Sequence, residues 1–289
     1  MITFFTDTDT DLTPEEAKKY NCKLISMPYI VDGKEVFPYE SFEKFDSKSF
    51  YQMLRRGTIP TTCGISPSKY MEYFEEEFKK GNDILYVSFS KAMSGTFNAM
   101  NIALEELKEE YPDRKLYQID TKGITICSLI LVKEIGDMLL NGASIDEVMK
   151  WADENVDKYA TYFFADNLKF FRKSGRVTNL KGFMGDLMGV RPILNMNAEG
   201  MMTNIDKVRG KNAAIDKLVE YVLKLGRDVK NHRIIIGHTD NIELANLLAE
   251  RLKITLGNDL KIEFAVVNPT AGSHCGPDGV GVAFASVSR

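Results

Sequence analysis

The sequence predicts an α/β protein of two domains, an N-terminal mostly parallel sheet flanked by helices and a C-terminal mixed α/β sheet. Three observations predict it. Through residue 156, short apolar runs alternate with segments of helical periodicity, the order of a parallel sheet with crossover helices. Past residue 158 the order changes to a hairpin followed by more widely spaced strands and helices. The length of 289 residues, with 44% hydrophobic and 27% charged residues, allows one large or two medium cores. The domains are placed at 1–158 and 159–289.

Taken in order, Ile2 to Thr6 is a first strand. Thr13-Pro14-Glu15-Glu16 starts a helix, with Thr13 as cap, Pro14 at the first helical position and Glu16 closing a capping box. Leu24 to Val31 reads as one strand that turns at Asp32-Gly33. Ser47 to Arg56 is a helix stopped by Gly57, Thr58 to Ser66 a polar loop, and Ser66-Pro67 opens a helix closed at Gly81. Asp83 to Phe89 is a buried strand whose chain runs through Ser94-Gly95-Thr96 into a helix. Lys115 to Ile119 is a strand, Thr125 to Leu140 a buried helix, and Ser144 to Val156 a helix with a capping box to Glu147. In the second half, Thr161 to Ala165 is a strand and Leu168 to Lys173 a short helix ended by Gly175. Lys181 to Gly189 has Phe183, Met184, Leu187 and Met188 on one helical face. Pro192 to Asn197 and Met201 to Val208 form a hairpin, and Lys211 to Leu225 and Ile242 to Leu256 are amphipathic helices. Strands at Ile234 to His238, Ile262 to Val267 and Gly281 to Ala285 complete the mixed sheet. Gly272 to Gly281 is a glycine-dense loop presenting His274.

Composition excludes several classes. A net charge of −4 argues against general nucleic-acid binding. No apolar run approaches the roughly 20 residues of a bilayer span, so a cytoplasmic location without stable membrane insertion is expected. Cys22, Cys63, Cys127 and Cys275 form no C-x-x-C pair, and His232, His238 and His274 no H-E-x-x-H, so neither zinc nor a disulfide framework is indicated.

Ser94 at a helix start either caps that helix or offers, with the unpaired N–H groups there, a site for an anion. Asp7, Thr62, Ser94 and Asp120 all follow strands, the end of a parallel sheet where ligands bind. Two hydrolytic readings stand beside this. Asp7-Thr8-Asp9-Thr10 matches the D-x-D-x-T of haloacid-dehalogenase-type phosphatases, although the later magnesium-binding acidic pair is missing. Ser94, Asp120 or Asp240, and His274 follow the chain order of an α/β-hydrolase triad, but A-M-S-G-T is not a G-x-S-x-G elbow. No P-loop for ATP is present.

Several motifs together resemble the DegV family of fatty-acid-binding proteins, nearly end to end. Thr6-Asp7 with Asp11-Leu12 is similar to T-D-S-x-x-D-L, Pro60-Thr61-Thr62 with Ser66-Pro67 to P-T-T-S-Q-P-S-P, and Met93 to Phe97 to L-S-G-T-Y. DNLKFFRKSGRVT at 166–178 resembles D-x-L-x-Y-L-x-K-G-G-R-I, Arg191-Pro192-Ile193-Leu194 resembles K-P-I-L, and Ser273 to Pro277 resembles T-H-x-G-P. Departures include Cys63-Gly64-Ile65, Asp9 where a small residue is usual, and Asp278-Gly279. The resemblance implies a DegV-like fold that holds a long-chain fatty acid between two domains, with no other cofactor. The carboxylate is then met by Thr62, Ser94, Gly95, Thr96 and His274. Phe183, Met184, Leu187, Met188 and Ile193 would line the acyl pocket. Residues 168–211 hold nine Lys or Arg against three Asp or Glu, and Arg172, Arg176, Arg191 and Arg209 would face a partner or phosphate. The implied partner is a separate ATP-dependent kinase subunit that makes acyl phosphate, the chain itself having no activity alone; contact with membrane lipid would be transient.

Overall fold

The computed structural model describes residues 1–166, 168–178 and 189–289. A four-stranded parallel sheet in the order β2-β1-β6-β7 is built from β1 (Ile2–Asp7), β2 (Cys22–Ile25), β6 (Asp83–Ser88) and β7 (Leu116–Asp120). Between its strands lie α1 (Pro14–Lys19), α3 (Pro67–Lys79) and α4 (Thr96–Glu110). Both expected capping boxes form, Thr13 with Glu16 on α1 and Ser144 with Glu147 on α6 (Ile145–Asn155).

The predicted strand from Leu24 to Val31 is two strands. Pro28 has no N–H to give a ladder, and β2 ends before it. The chain re-enters as β3 (Tyr29–Val31), which forms a second, antiparallel sheet with β4 (Lys34–Val36) and β5 (Thr61–Thr62). Asp32 and Gly33 both adopt positive φ, as a two-residue hairpin turn requires. Thr61-Thr62, expected in a loop, is held by β3. The helix α2 (Ser47–Arg55) follows the hairpin.

The seven-stranded mixed sheet has the order β13-β12-β14-β8-β10-β11-β9. Its strands are β8 (Tyr159–Phe164), β9 (Val177–Thr178), β10 (Val190–Met196), β11 (Met202–Arg209), β12 (Arg233–His238), β13 (Lys261–Val266) and β14 (Val280–Ala285). The short helix α7 (Lys169–Ser174) precedes β9, and α8 (Lys211–Leu225) and α9 (Ile242–Leu256) cover one face. The expected helix at 181–189, with Phe183, Met184, Leu187 and Met188, lies outside the described residues apart from Gly189.

Two features join the halves. The first is α5 (Ile126–Leu140), buried on nearly all sides over its first eleven residues. Its core takes in Leu85, Val87 and Ile119 from the parallel sheet and Ile235, Ala283 and Ala285 from the mixed sheet. Gly237 and Gly281 sit opposite each other on β12 and β14, and a Cβ on Gly237 would lie 2.6 Å from Ile126 Cγ2, so the missing side chain makes room for the helix. The second feature is α10 (Pro269–Cys275). The glycine density here predicted a loop, but Asn268 Oδ1 accepts from the Ala271 N–H and Pro269 opens a helix. The helix is tied to the first half: Asn268 donates twice to Asp11 Oδ1, at 2.8 and 2.7 Å, and Thr270 donates to the Met27 carbonyl. Asp278, one of the departures, bonds Arg55 of α2, which also pairs with Asp240.

Candidate functional site

The chain after β6 makes a 3-10 turn at Lys91–Met93 and enters α4 through Ser94 and Gly95. Ser94 Oγ accepts from the Thr96 N–H at 3.2 Å, but the N-cap of α4 is Gly95, which has no side-chain cap. The Thr96 hydroxyl is turned inward, accepting from the Ile65 N–H and sharing a bond with Tyr70. It therefore fixes the loop after Thr62 and does not offer its hydroxyl to a ligand. Gly64 permits that close approach, since a Cβ there would lie 3.1 Å from Thr96 Cβ.

Opposite Ser94, Thr62 on β5 and His274 on α10 are joined by a 2.8 Å contact between Oγ1 and Nε2. Burial, reinforced by the Arg176 guanidinium, pushes the His274 imidazole down to about 4, so it is neutral at neutral pH. Arg176 reaches this place because Gly175 ends α7 in the left-handed region, with φ 65°.

Thr62, Ser94, Gly95, Thr96, His274 and Arg176 line one cavity of about 300 Å³. A second, narrow cavity of about 60 Å³ adjoins it, and Met93, Ile124 and His274 line both. This inner slot is almost wholly apolar. Phe163, Ala165, Phe171, Met196 and Met202 wall it from the second half, and Met93, Ile124 and Ile126 from the first. Three methionines give walls that can change shape by side-chain rotation.

The expected site residues thus divide. Thr62, Ser94, Gly95, Thr96 and His274 are brought together. Ile193 is not with them: successive strand side chains alternate between faces, and Ile193 packs with Ile215 and Leu218 beneath α8. Met196 on the same strand lines the slot. Arg176, expected to face a partner, is in the mouth. Arg191 is held in a largely buried ion pair with Asp166, whereas Arg172 and Arg209 are exposed. Asp120 accepts from the Lys91 and Lys122 N–H groups and does not line the mouth. Phe183, Met184, Leu187 and Met188 lie outside the described residues.

Below the mouth sit three buried carboxyls. Asp7 Oδ2 accepts from the Tyr86 hydroxyl at 2.9 Å and the Phe89 N–H at 3.0 Å, and Oδ1 from the Asp9 N–H. Burial pushes Asp7 and Asp11 up to about 7, and Asp9 well above the usual carboxylate range. At these three carboxyls the folded chain therefore binds more protons than the unfolded chain across the acid range. The resulting stability is full below about pH 4 and is lost as pH rises to about 7. Asp11→Asn, which keeps an acceptor for Asn268, removes one such group. Denaturant titrations at pH 5 and pH 8 should show the wild type losing about 1–3 kcal/mol more than this variant; equal losses would contradict the assignment. Among the described residues no group of three or more His, Cys, Asp and Glu is placed to hold a metal ion. None of the described helices is long and apolar enough to cross a membrane.

A family model described as "Uncharacterised protein, DegV family" matches residues 1–287. A DegV domain-containing protein of Clostridium perfringens is 32% identical over 273 residues, 94% of this chain and 93% of its own. Among solved structures, a DegV lipid-binding protein of Thermotoga maritima superposes with a TM-score of 0.83 at 24% identity, covering 100% of this chain and 99% of the other. A stearic acid-binding protein of Eubacterium ventriosum gives 0.84 at 20%, covering 98% and 97%. At these identities the structural likeness establishes the fold.

Proposed function

Because this chain belongs to the DegV family, we propose that it is a fatty-acid carrier that holds an acyl chain in the inner slot and its carboxylate in the mouth. The observation that carries this reading is the shared wall of the two cavities: hydroxyls, a neutral imidazole and a guanidinium surround one, apolar side chains the other, and Met93, Ile124 and His274 are common to both. The lipid named for the Thermotoga maritima protein and the stearic acid named for the Eubacterium ventriosum protein support it.

The division of labour follows from energetics. Each buried methylene contributes about 0.8 kcal/mol, so the slot supplies affinity and the mouth needs only to orient. With Nε2–H of His274 donating to Thr62 Oγ1, the threonine keeps its own proton for a ligand oxygen. Ser94 supplies a second hydroxyl and Arg176 the opposing charge. A carboxylate oxygen held in this way is oriented for attack on the γ-phosphorus of ATP bound to a separate kinase subunit, giving acyl phosphate. The hydrolytic readings find less support: Asp7 is fully buried with both oxygens bonded, and His274 is bonded to Thr62 and not to Ser94.

Extraction and mass spectrometry of the purified protein should yield a stoichiometric acyl chain; protein repeatedly recovered empty and unable to take up oleate would overturn the proposal. Ser94→Ala should lower phosphoryl transfer by the partner kinase about tenfold while acyl affinity changes less than about threefold. Equal losses would show that Ser94 does not orient the headgroup.

A further inference from the structure

Among the described residues, Asp9 is the buried acid that lines the mouth, and the carrier reading gives it no role. It occupies the 3-10 turn after β1, its N–H donating to Asp7 Oδ1 at 3.1 Å and its carbonyl accepting from the Thr125 N–H at 2.7 Å. The backbone is thereby pinned on both sides. The side chain lines the mouth with Thr62, Ser94 and Arg176, yet it is 5% exposed and its Oδ1 has no hydrogen-bond partner. A buried oxygen left in this way is destabilising unless a ligand answers it.

A carboxylate ligand cannot answer an ionised Asp9, because two like charges at hydrogen-bonding distance do not both remain ionised in a buried site. They can share one proton. We propose that Asp9 enters the complex as the neutral acid and donates its proton to the ligand's carboxylate, so that this chain binds a fatty acid and one carboxyl proton as a unit. The inference rests on the carrier reading and specifies how its headgroup is held. No bond to carbon is made or broken: the O–H of Asp9 donates to a ligand oxygen, and any proton missing from Asp9 in the empty protein comes from solvent.

The surroundings favour the neutral form. Asp7 and Asp11 flank Asp9 on its own turn, and both oppose a further negative charge. Tyr70 from α3 and Tyr86 from β6 are held well above the usual phenol range, and Cys275 from α10 is pushed up to about 12, so all three stay neutral. His274 is neutral as well, which leaves Arg176 as the cation lining the mouth to balance the ligand's charge.

Infrared spectroscopy of the oleate-loaded protein at pH 7 tests the proposal, with Asp9→Asn as reference and Asp9→Thr as the substitute if that variant does not fold. The expected result is a protonated-carboxyl band in loaded wild type that is missing from the variant. Oleate affinity of the wild type should also fall at least about tenfold from pH 6 to the alkaline side of the Asp9 titration while the variant stays within about threefold. Oleate bound with no such band, or with the same pH dependence in both proteins, overturns the role of Asp9 and leaves the carrier intact. Failure of both proteins to bind oleate at any pH overturns the carrier reading and this inference together.

Discussion

Replacing Ile130 with alanine should destabilise the whole chain by about 3 kcal/mol, within the range of about 2–5 kcal/mol for emptying a fully buried isoleucine site. Ile130 is 0% exposed. It lies one turn past Ile126, the residue packed on Gly237 of the mixed sheet, and one turn before Glu134, which pairs with Arg233 of β12. The cavity would therefore open between α5 and that sheet, inside a core that also contains residues of the parallel sheet. The two halves should still melt together. Trp151, the single tryptophan, lies on α6 against Tyr159, so its fluorescence reports one place while far-ultraviolet circular dichroism reports the whole chain. Coincident transitions for wild type and variant are expected. Separate transitions, or a loss below about 1 kcal/mol, would show that α5 does not couple the sheets.

The second large effect concerns the passage between mouth and slot. Ile124 lines both cavities and is only partly buried, so a larger side chain can extend into open space. Ile124→Trp should close the passage and leave the fold in place. Denying entry to even four methylenes forfeits about 3 kcal/mol, or more than a hundredfold in affinity. Lipid extraction should then recover little acyl chain from the variant, and its melting temperature should match that of empty wild type. Undiminished loading would mean that the acyl chain lies elsewhere.

What could be read from the sequence was what local chemistry decides. Thr13 with Glu16 and Ser144 with Glu147 announced their helices because a cap acts within four residues. The residues of α8 and α9 were legible from periodicity, and Thr62, Ser94 and His274 through motif resemblance. What depends on distant neighbours was not legible. Ile193 and Met196 are both apolar residues of one strand, and only the pairing of β10 with β8 and β11 decides which face each takes. Arg176 read as one of a run of surface cations, although Gly175 before it signalled a sharp change of direction. Glycine density masked α10, for which Asn268-Pro269 was the better signal. Asp9 stands where a small residue is usual, but its burial in the mouth follows from the segments leading into α5 and α10 bonding to the first turn, Thr125 to the Asp9 carbonyl and Asn268 to Asp11.

The helix shared by the two sheets also governs how a ligand leaves. Parting the sheets would strip α5 of contacts with one of them, which disfavours emptying the slot by hinging open. An acyl chain held as proposed would instead be drawn out lengthwise past Met93, Ile124 and His274. For the proposed carrier, residence time then lengthens with every carbon to be withdrawn, by up to roughly fourfold for each about 0.8 kcal/mol of re-exposed methylene, so it would act as a timer as well as a container.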